Sequence, residues 1–264
     1  MSYRSIISLM PKTAALDPDA QAFLTAAGIV DPTISGAINT LVVQMKADNI
    51  WTKMKAIYPM VGGTASTHKW NLKDPRDLDA AFRLSFSGGI THDSNGIQGN
   101  GVNGYANTFL NDSTVLSVAN KHISAYSRTN SAATLRDMGV LQPSVSSTNI
   151  SARWSDLNTY FSVGGSFVSA GNLSNSLGLF MANKIVSGQN EGYKNGVLVG
   201  SSASTVTNVN IPHYLLAMNN LGNAEGFSSR QYSLFSLGDG LTPTEAANFY
   251  TAVQAFQTTL NRQV

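Results

Sequence analysis

The chain has 264 residues, 42% apolar and only 12% charged, about half the usual charged share; it has material for one large core and is not a disordered chain. Seventeen Lys and Arg stand against 15 Asp and Glu, a formal charge of +2 with no basic run, which leaves no electrostatic groove for nucleic acid. There is no cysteine, so disulfides and thiolate metal sites are excluded, and assembly in a reducing cytoplasm fits.

At the N-terminus, Ile6, Ile7, Leu9 and Met10 form an apolar patch too short for a signal-peptide core. No stretch approaches the ~20 apolar residues of a membrane span, so no membrane partner is expected. Residues 1–12 read as an extended arm. Residues 17–58 read as helical. Asp17-Pro18 and Asp31-Pro32 each place an N-cap before a proline at the first helical position, and Gly28 can close the first helix. Ile34, Ile38, Leu41 and Met45 form a helical stripe, while Asp48, Asn49 and Trp51 mark a break before Tyr58-Pro59. The stripe predicts a helical pair packed on the body of the protein; the alternative is a docking or oligomerisation element.

Residues 61–79 are irregular, with Gly62-Gly63 and Asp74-Pro75 as turn signals. Strands are then expected at 81–87, 102–110, 122–128, 136–141, 150–154, 159–164, 177–182, 190–194, 197–199, 205–209, 213–218 and 231–237. Short strands with no helical pattern between about 80 and 240 favour a sandwich over a βαβ fold. Asn95-Gly96, Asn100-Gly101, Asn103-Gly104 and Asn195-Gly196 are expected to supply positive φ angles at tight turns. The chain closes on a helix: Thr242 as N-cap, Pro243 at the first position, Glu245 completing a capping box, and Phe249, Val253, Phe256 and Leu260 on one face. That face must be buried, on the sandwich by the first reading or on a neighbouring subunit by the second.

Several of these segments resemble the concanavalin A-like, or laminin G-like, jelly roll. Residues 100–108 are similar to its early G-x-N-x-Y strand, and 123–128 to the core strand that follows. Tyr193-Lys194-Asn195-Gly196-Val197-Leu198 resembles its Y-x-N-G-x-L hairpin, and 231–250 its final strand with the L-T-x-x-E-x-x-x-x-Y helix start. Coverage is about 80–250. The resemblance implies a mainly β protein: a concanavalin A-like jelly-roll β-sandwich over 61–264 with a C-terminal amphipathic helix, preceded by an arm and helical module over 1–60. Residues 17–24, 51–59 and 73–82 also resemble segments of tailed-bacteriophage virion proteins, in which a short helical module precedes a lectin-like sandwich. That likeness implies a non-enzymatic structural component of a virion, made in the host cytoplasm. Its partners would be other virion proteins and further copies of itself, and it could contact the host surface. The alternative is a carbohydrate-binding lectin or adhesin domain that recognises a surface glycan.

Jelly rolls of this kind also host glycoside hydrolases, which need two carboxylates flanking a cleft. Only Glu191, Glu225 and Glu245 are present as glutamates, none in a Glu-x-Asp-x-x-Glu strand, and Asp74, Asp77 and Asp79 fall in a turn-rich segment. No catalytic residue and no cofactor is expected. His68, His92, His122 and His213 lack metal-ligand spacing, and a calcium site built from distant oxygen ligands stays open. Residues 62–69 superficially suggest a phosphate loop, but the glycine spacing is wrong. Trp154, Tyr160 and Tyr193 are the candidates for stacking on a sugar ring. The alternating run Ile150, Ala152, Trp154 argues that Trp154 belongs to the core instead.

Overall fold

The computed structural model describes residues 15–165, 167–185, 189–203 and 207–264. The arm expected at 1–12 lies outside them, as do residues 205–206 of the strand expected at 205–209. Helices α1 (Pro18–Ala27) and α2 (Pro32–Ala47) come first, followed by strand β1 (Met54–Tyr58) and a single turn α3 (Ala65–His68). Next are β2 (Ser85–Ser87), β3 (Ile90–Asp93), β4 (Gly96–Gly99), β5 (Tyr105–Asn111) and the turn α4 (Asp112–Val115). The middle of the chain holds β6 (Lys121–Ser127), β7 (Met138–Gln142), β8 (Ser146–Ser151), β9 (Tyr160–Val163) and β10 (Val168–Ser169). After β11 (Gly178–Lys184), β12 (Gln189–Lys194) and β13 (Val197–Ala203) come β14 (Pro212–Leu215), β15 (Met218–Asn220) and β16 (Asn223–Glu225). Strand β17 (Gln231–Gly238) leads into helix α5 (Pro243–Thr259).

The strands form a sandwich of two sheets. The first runs β13-β12-β11-β6-β17-β4-β3, and β1 pairs along β17 beyond β4. The second runs β10-β9-β8-β7-β14-β5-β2, with β15 laid parallel to β7 and β16 hairpinned onto it. All other pairings are antiparallel, as a meandering chain with short connections requires. This is the mainly β sandwich with a C-terminal helix that the sequence implies.

The first sheet is apolar on both faces. Ile123, Ala125, Phe180, Ala182, Phe235 and Leu237 face the second sheet. Tyr126, Leu179, Met181, Tyr193 and Leu234 point the other way, into a second core with α1, α2 and α5. The helices supply Phe23, Ile38, Leu41, Met45, Phe249, Val253 and Phe256 to that core, so both amphipathic stripes close on their own sheet. Each helix begins as its cap residues demand. Asp17 and Asp31 accept backbone N–H groups ahead of their prolines, and Thr242 and Glu245 form the reciprocal capping box. Among the described residues no helix is long and apolar enough to cross a membrane.

Several expectations need correction. Residues 54–58 are a strand and not part of the helical module, because Asn49, at φ 59°, ends the α2 region and turns the chain onto β17. The strand expected from 81 starts only at Ser85, since Asp79–Ala81 is a 3-10 turn closed by Phe82 at φ 60°. The hairpin β3–β4 was not foreseen, although the Asn95-Gly96 turn signal marks it. Asn195-Gly196 behaves as expected, with φ of 50° and 75° in the two-residue turn between Lys194 and Val197. Asn103-Gly104 does not. There Asn100 Oδ1 accepts the N–H groups of Val102, Asn103 and Gly104, and this fixes the loop without a positive φ at either residue.

Two buried ion pairs tie the sheets together at opposite ends of β6. Near its start Lys121 Nζ lies 2.8 Å from both carboxylate oxygens of Asp112, which follows β5 in the second sheet. Past its end Arg230 Nη1, leading into β17, lies 2.7 Å from Asp137 Oδ1, ahead of β7. The apolar face of α5 contributes through Phe256, only 2% exposed in the helix–sheet core. Phe256→Ala should lower unfolding free energy by roughly 3–5 kcal/mol. Chemical denaturation monitored by circular dichroism checks it, and a change under about 0.5 kcal/mol would place the ring outside the core.

Candidate aromatic cleft on the second sheet

Among the described residues no helix packs on the outer side of the second sheet near β8 and β9, and strand alternation decides what points there. On β8, Ile150 points into the core while Ser151 points out; on β9, Phe161 points in and its neighbour Tyr160 points out. Ser151 and Tyr160 are register partners, and Ser169 of β10 follows Tyr160 across the sheet. Strand β8 ends at Ser151. The alternation expected to carry Trp154 inward therefore stops, and Trp154 enters a turn in which its N–H donates to the Asn158 carbonyl at 2.7 Å. The ring is half-buried on the outer face, not in the core.

Three aromatic rings and one cation meet there. Trp154 and Tyr160 are edge-to-face at 6.4 Å, and Tyr160 and Phe167 edge-to-face at 6.3 Å. The Arg136 guanidinium carbon lies 4.3 Å from the Trp154 ring centre and 5.5 Å from that of Phe167. Arg136 precedes β7. Its N–H donates to the Gly226 carbonyl at 2.7 Å, and a side chain on Gly226 would crowd its Cγ, also at 2.7 Å. Among the described residues the guanidinium gives one hydrogen bond, from Nη1 to Ser151 Oγ at 3.0 Å. Tyr160 is oriented by its hydroxyl, which donates to Asp156 Oδ2 at 2.6 Å. Phe167 is 45% exposed, so most of one ring face is free. The four side chains line a cleft of about 200 Å³, below the size of drug pockets and suited to a single ring. Asn149, along the same face of β8, is buried with neither amide atom hydrogen-bonded.

The other candidates are accounted for elsewhere. Tyr193 is buried in the helix–sheet core and donates to Glu191 Oε2, so it cannot stack on a ligand. Glu191 also receives Asn183, Glu225 receives Asn220, and Glu245 caps α5 and pairs with Lys53. Asp74 pairs with Arg76, Asp79 with Arg83, and Asp77 with Lys69 and Arg83. A larger cavity of about 510 Å³ lies between the α1–α2 turn, Gly62-Gly63 and Thr259–Arg262. Its charged groups are committed. Asp31 caps α2, and Arg262 donates to the carbonyls of Met60 and Pro59 and to Gln257.

The histidines show what sequence spacing could not. His68 and His92, 24 positions apart, face one another with Nδ1 atoms 3.0 Å apart. His68 Nε2 accepts the Gly63 N–H, so its proton sits on Nδ1 and is donated to His92. His122 is fixed by similar logic. Its Nδ1 donates to the Asp239 carbonyl at 2.6 Å, so Nε2 accepts from Ser236, whose oxygen in turn accepts from Ser124. His213 Nε2 lies 3.0 Å from Asp112. Among the described residues no three His, Asp or Glu side chains gather as a metal ion requires.

No family model matches the chain, and no curated protein matches it either. Among solved structures it is similar to the binding domain of botulinum neurotoxin serotype D, with a TM-score of 0.53 and 9% identity, over 79% of this chain and 52% of that one. It is also similar to the Trypanosoma rangeli sialidase in complex with sialic acid, with a TM-score of 0.51 and 11% identity, over 81% of this chain and 38% of that one. The chain thus spans about half or less of each. These likenesses establish a β-sandwich fold shared with both.

The buried histidines make stability depend on pH. Burial lowers His122 from 6.5 to about 4, and burial with the facing His92 and nearby Arg262 lowers His68 to about 3. The unfolded chain therefore takes up these protons first, and their contribution is fully present above pH 6.5 and lost as pH falls towards 4. For His122 the loss amounts to roughly 3 kcal/mol. For Asp112, burial acts upward but Lys121 and His213 outweigh it and hold the carboxyl at about 2, so its share is lost lower, between about 4 and 2. Denaturant titrations from pH 7 to 4, with NMR of the imidazole protons, check the first window. A His122 midpoint near 6.5 would contradict the sealed network.

Proposed function

We propose that the chain is a glycan-binding domain of lectin or adhesin type, and that its site is the cleft of Trp154, Tyr160, Phe167 and Arg136. The observation that carries this is the escape of Trp154 from the core. Two further rings converge with it on the outer side of the second sheet, where their apolar bodies remain partly uncovered. Rings held edge-to-face present flat surfaces to the C–H face of a pyranose, while Arg136, anchored by Ser151, offers polar groups to its substituents. Binding without cleavage is the matching chemistry, because the carboxylates near these rings have partners of their own: Asp156 accepts from Tyr160 and Glu225 from Asn220. The likeness in fold to a sialidase solved with sialic acid and to a toxin binding domain supports a binding sandwich in general terms.

A glycan array followed by calorimetry on the retained sugars tests the proposal. Trp154→Ala should weaken binding roughly 10- to 100-fold, equivalent to about 1.4–2.8 kcal/mol, with melting temperature little changed because the ring is half-exposed. Full affinity in Trp154→Ala and Tyr160→Ala, or an array on which nothing is retained, would overturn the assignment.

A further inference from the structure

Charge in this protein is scarce, and almost every cation in a sheltered position is answered. Lys121 is paired with Asp112, Arg230 with Asp137 and Arg83 with Asp79, at 2.7–2.8 Å. Lys194 donates to two carbonyls and the Asn175 side chain, and Arg262 is surrounded by carbonyl oxygens. Buried Lys184 also lacks an ion pair among the described residues and donates to Asn190, but Arg136 is the one of the two that lines a cleft. Arg136 differs from all of these. It is half-buried between two rings, makes no ion pair among the described residues, and has one acceptor, Ser151 Oγ, for five N–H donors.

The carboxylates around it are committed. Asp137, next in sequence, accepts from Arg230, Ser228 and the Ala152 N–H. Glu225 is held by Asn220 at 3.1 Å and makes no ion pair with Arg136. Desolvation accordingly lowers the Arg136 pKa, with Asp137 and Glu225 only partly opposing it. Nε and Nη2 have no acceptor among the described residues, yet they are not sealed off from solvent. A guanidinium whose face lies over an indole still donates from its edge, in the planar fork that matches a carboxylate.

We propose, resting on the glycan-binding reading, that this cleft selects acidic saccharides: a sugar carboxylate pairs with the free edge of Arg136 while the sugar ring stacks on Trp154, Tyr160 or Phe167. Completing the missing ion pair makes the ligand's charge the source of specificity. A neutral sugar in the same place leaves the cation unanswered. Uronic and nonulosonic acids share this carboxylate chemistry.

Calorimetry on the full chain at low salt tests it with matched probes: tri-galacturonate against its methyl ester, and sialyllactose against lactose. Wild-type protein should bind one of the two acids at least about tenfold more tightly than its neutral counterpart, which also identifies the source of the carboxylate. Arg136→Gln should abolish that gap, the acid losing on the order of 10- to 100-fold and the neutral sugar much less. Arg136→Lys, which keeps charge but not the fork, should retain only part of the gap. Raising salt should narrow it. Equal affinity of acid and neutral members for wild-type protein, or a gap that survives Arg136→Gln, overturns the acidic specificity and leaves glycan binding standing. Failure of both series to bind overturns this inference, while glycan binding itself then stands or falls on the array. If Arg136→Gln does not fold, Arg136→Lys decides: an undiminished gap overturns the proposal.

Discussion

The first sheet must be covered on both faces, and the rest of the architecture follows from that. Alternate residues of β6, β11 and β17 are apolar in both directions, so one face meets the second sheet and the other needs a lid. Helices α1, α2 and α5 form the lid, drawn from the two ends of the described chain, and their stripes match the sheet's outer row of Tyr126, Leu179, Met181, Tyr193 and Leu234. The second sheet has no such demand: its outer row runs through Ser151 and Tyr160. With one sheet sealed by helices, the rings left partly uncovered among the described residues gather at the other, beside Tyr160. The position of the cleft is thus a by-product of where the apolar residues went.

The buried ion pairs serve geometry more than net stability. Removing Lys121, Asp112, Arg230 and Asp137 from water is costly, and their attraction offsets that cost only with close contacts and further hydrogen bonds, which both clusters have. Each pair joins one sheet to the other at an end of β6. Sliding the sheets past each other would leave a charge buried alone, a penalty on the order of 3–5 kcal/mol that apolar contacts would not impose. The two sheets are pinned in one alignment, and the loops around the Arg230 pair include Arg136 and Trp154.

Much of this was legible in the sequence. Proline-led caps, the capping box at Thr242 and the Asn195-Gly196 turn each act within a few residues, so their signals survive without knowledge of the fold. Strand existence was legible for the same reason. The site was not. Trp154 looked like core because alternation was extended past Ser151, and only the turn held by Asn158 shows otherwise. Phe167 and Arg136 lie 13 and 18 positions from Trp154 in opposite directions, with nothing local to join them. The His68–His92 contact and the β1–β17 pairing were hidden likewise, because sequence periodicity carries no information on partners far along the chain. Segments 17–24 and 51–59, from which a virion protein was expected, fall on α1 and on the 3-10 turn and strand β1, where Phe23, Trp51 and Ile57 are packing residues.

The lid has a consequence for how the chain reaches this state. Arg262 holds the carbonyl of Pro59, 203 positions away, and β1 finds its place only against β17. Loop closure over such a span must precede the contacts that reward it, which makes folding slow compared with a helical protein of the same size. During synthesis α1, α2 and β1 leave the ribosome first and wait for β17 and α5, their apolar stripes uncovered in the meantime. A chain with few charges has little repulsion to keep such intermediates apart, so the half-made lid is the stage most exposed to association with other copies.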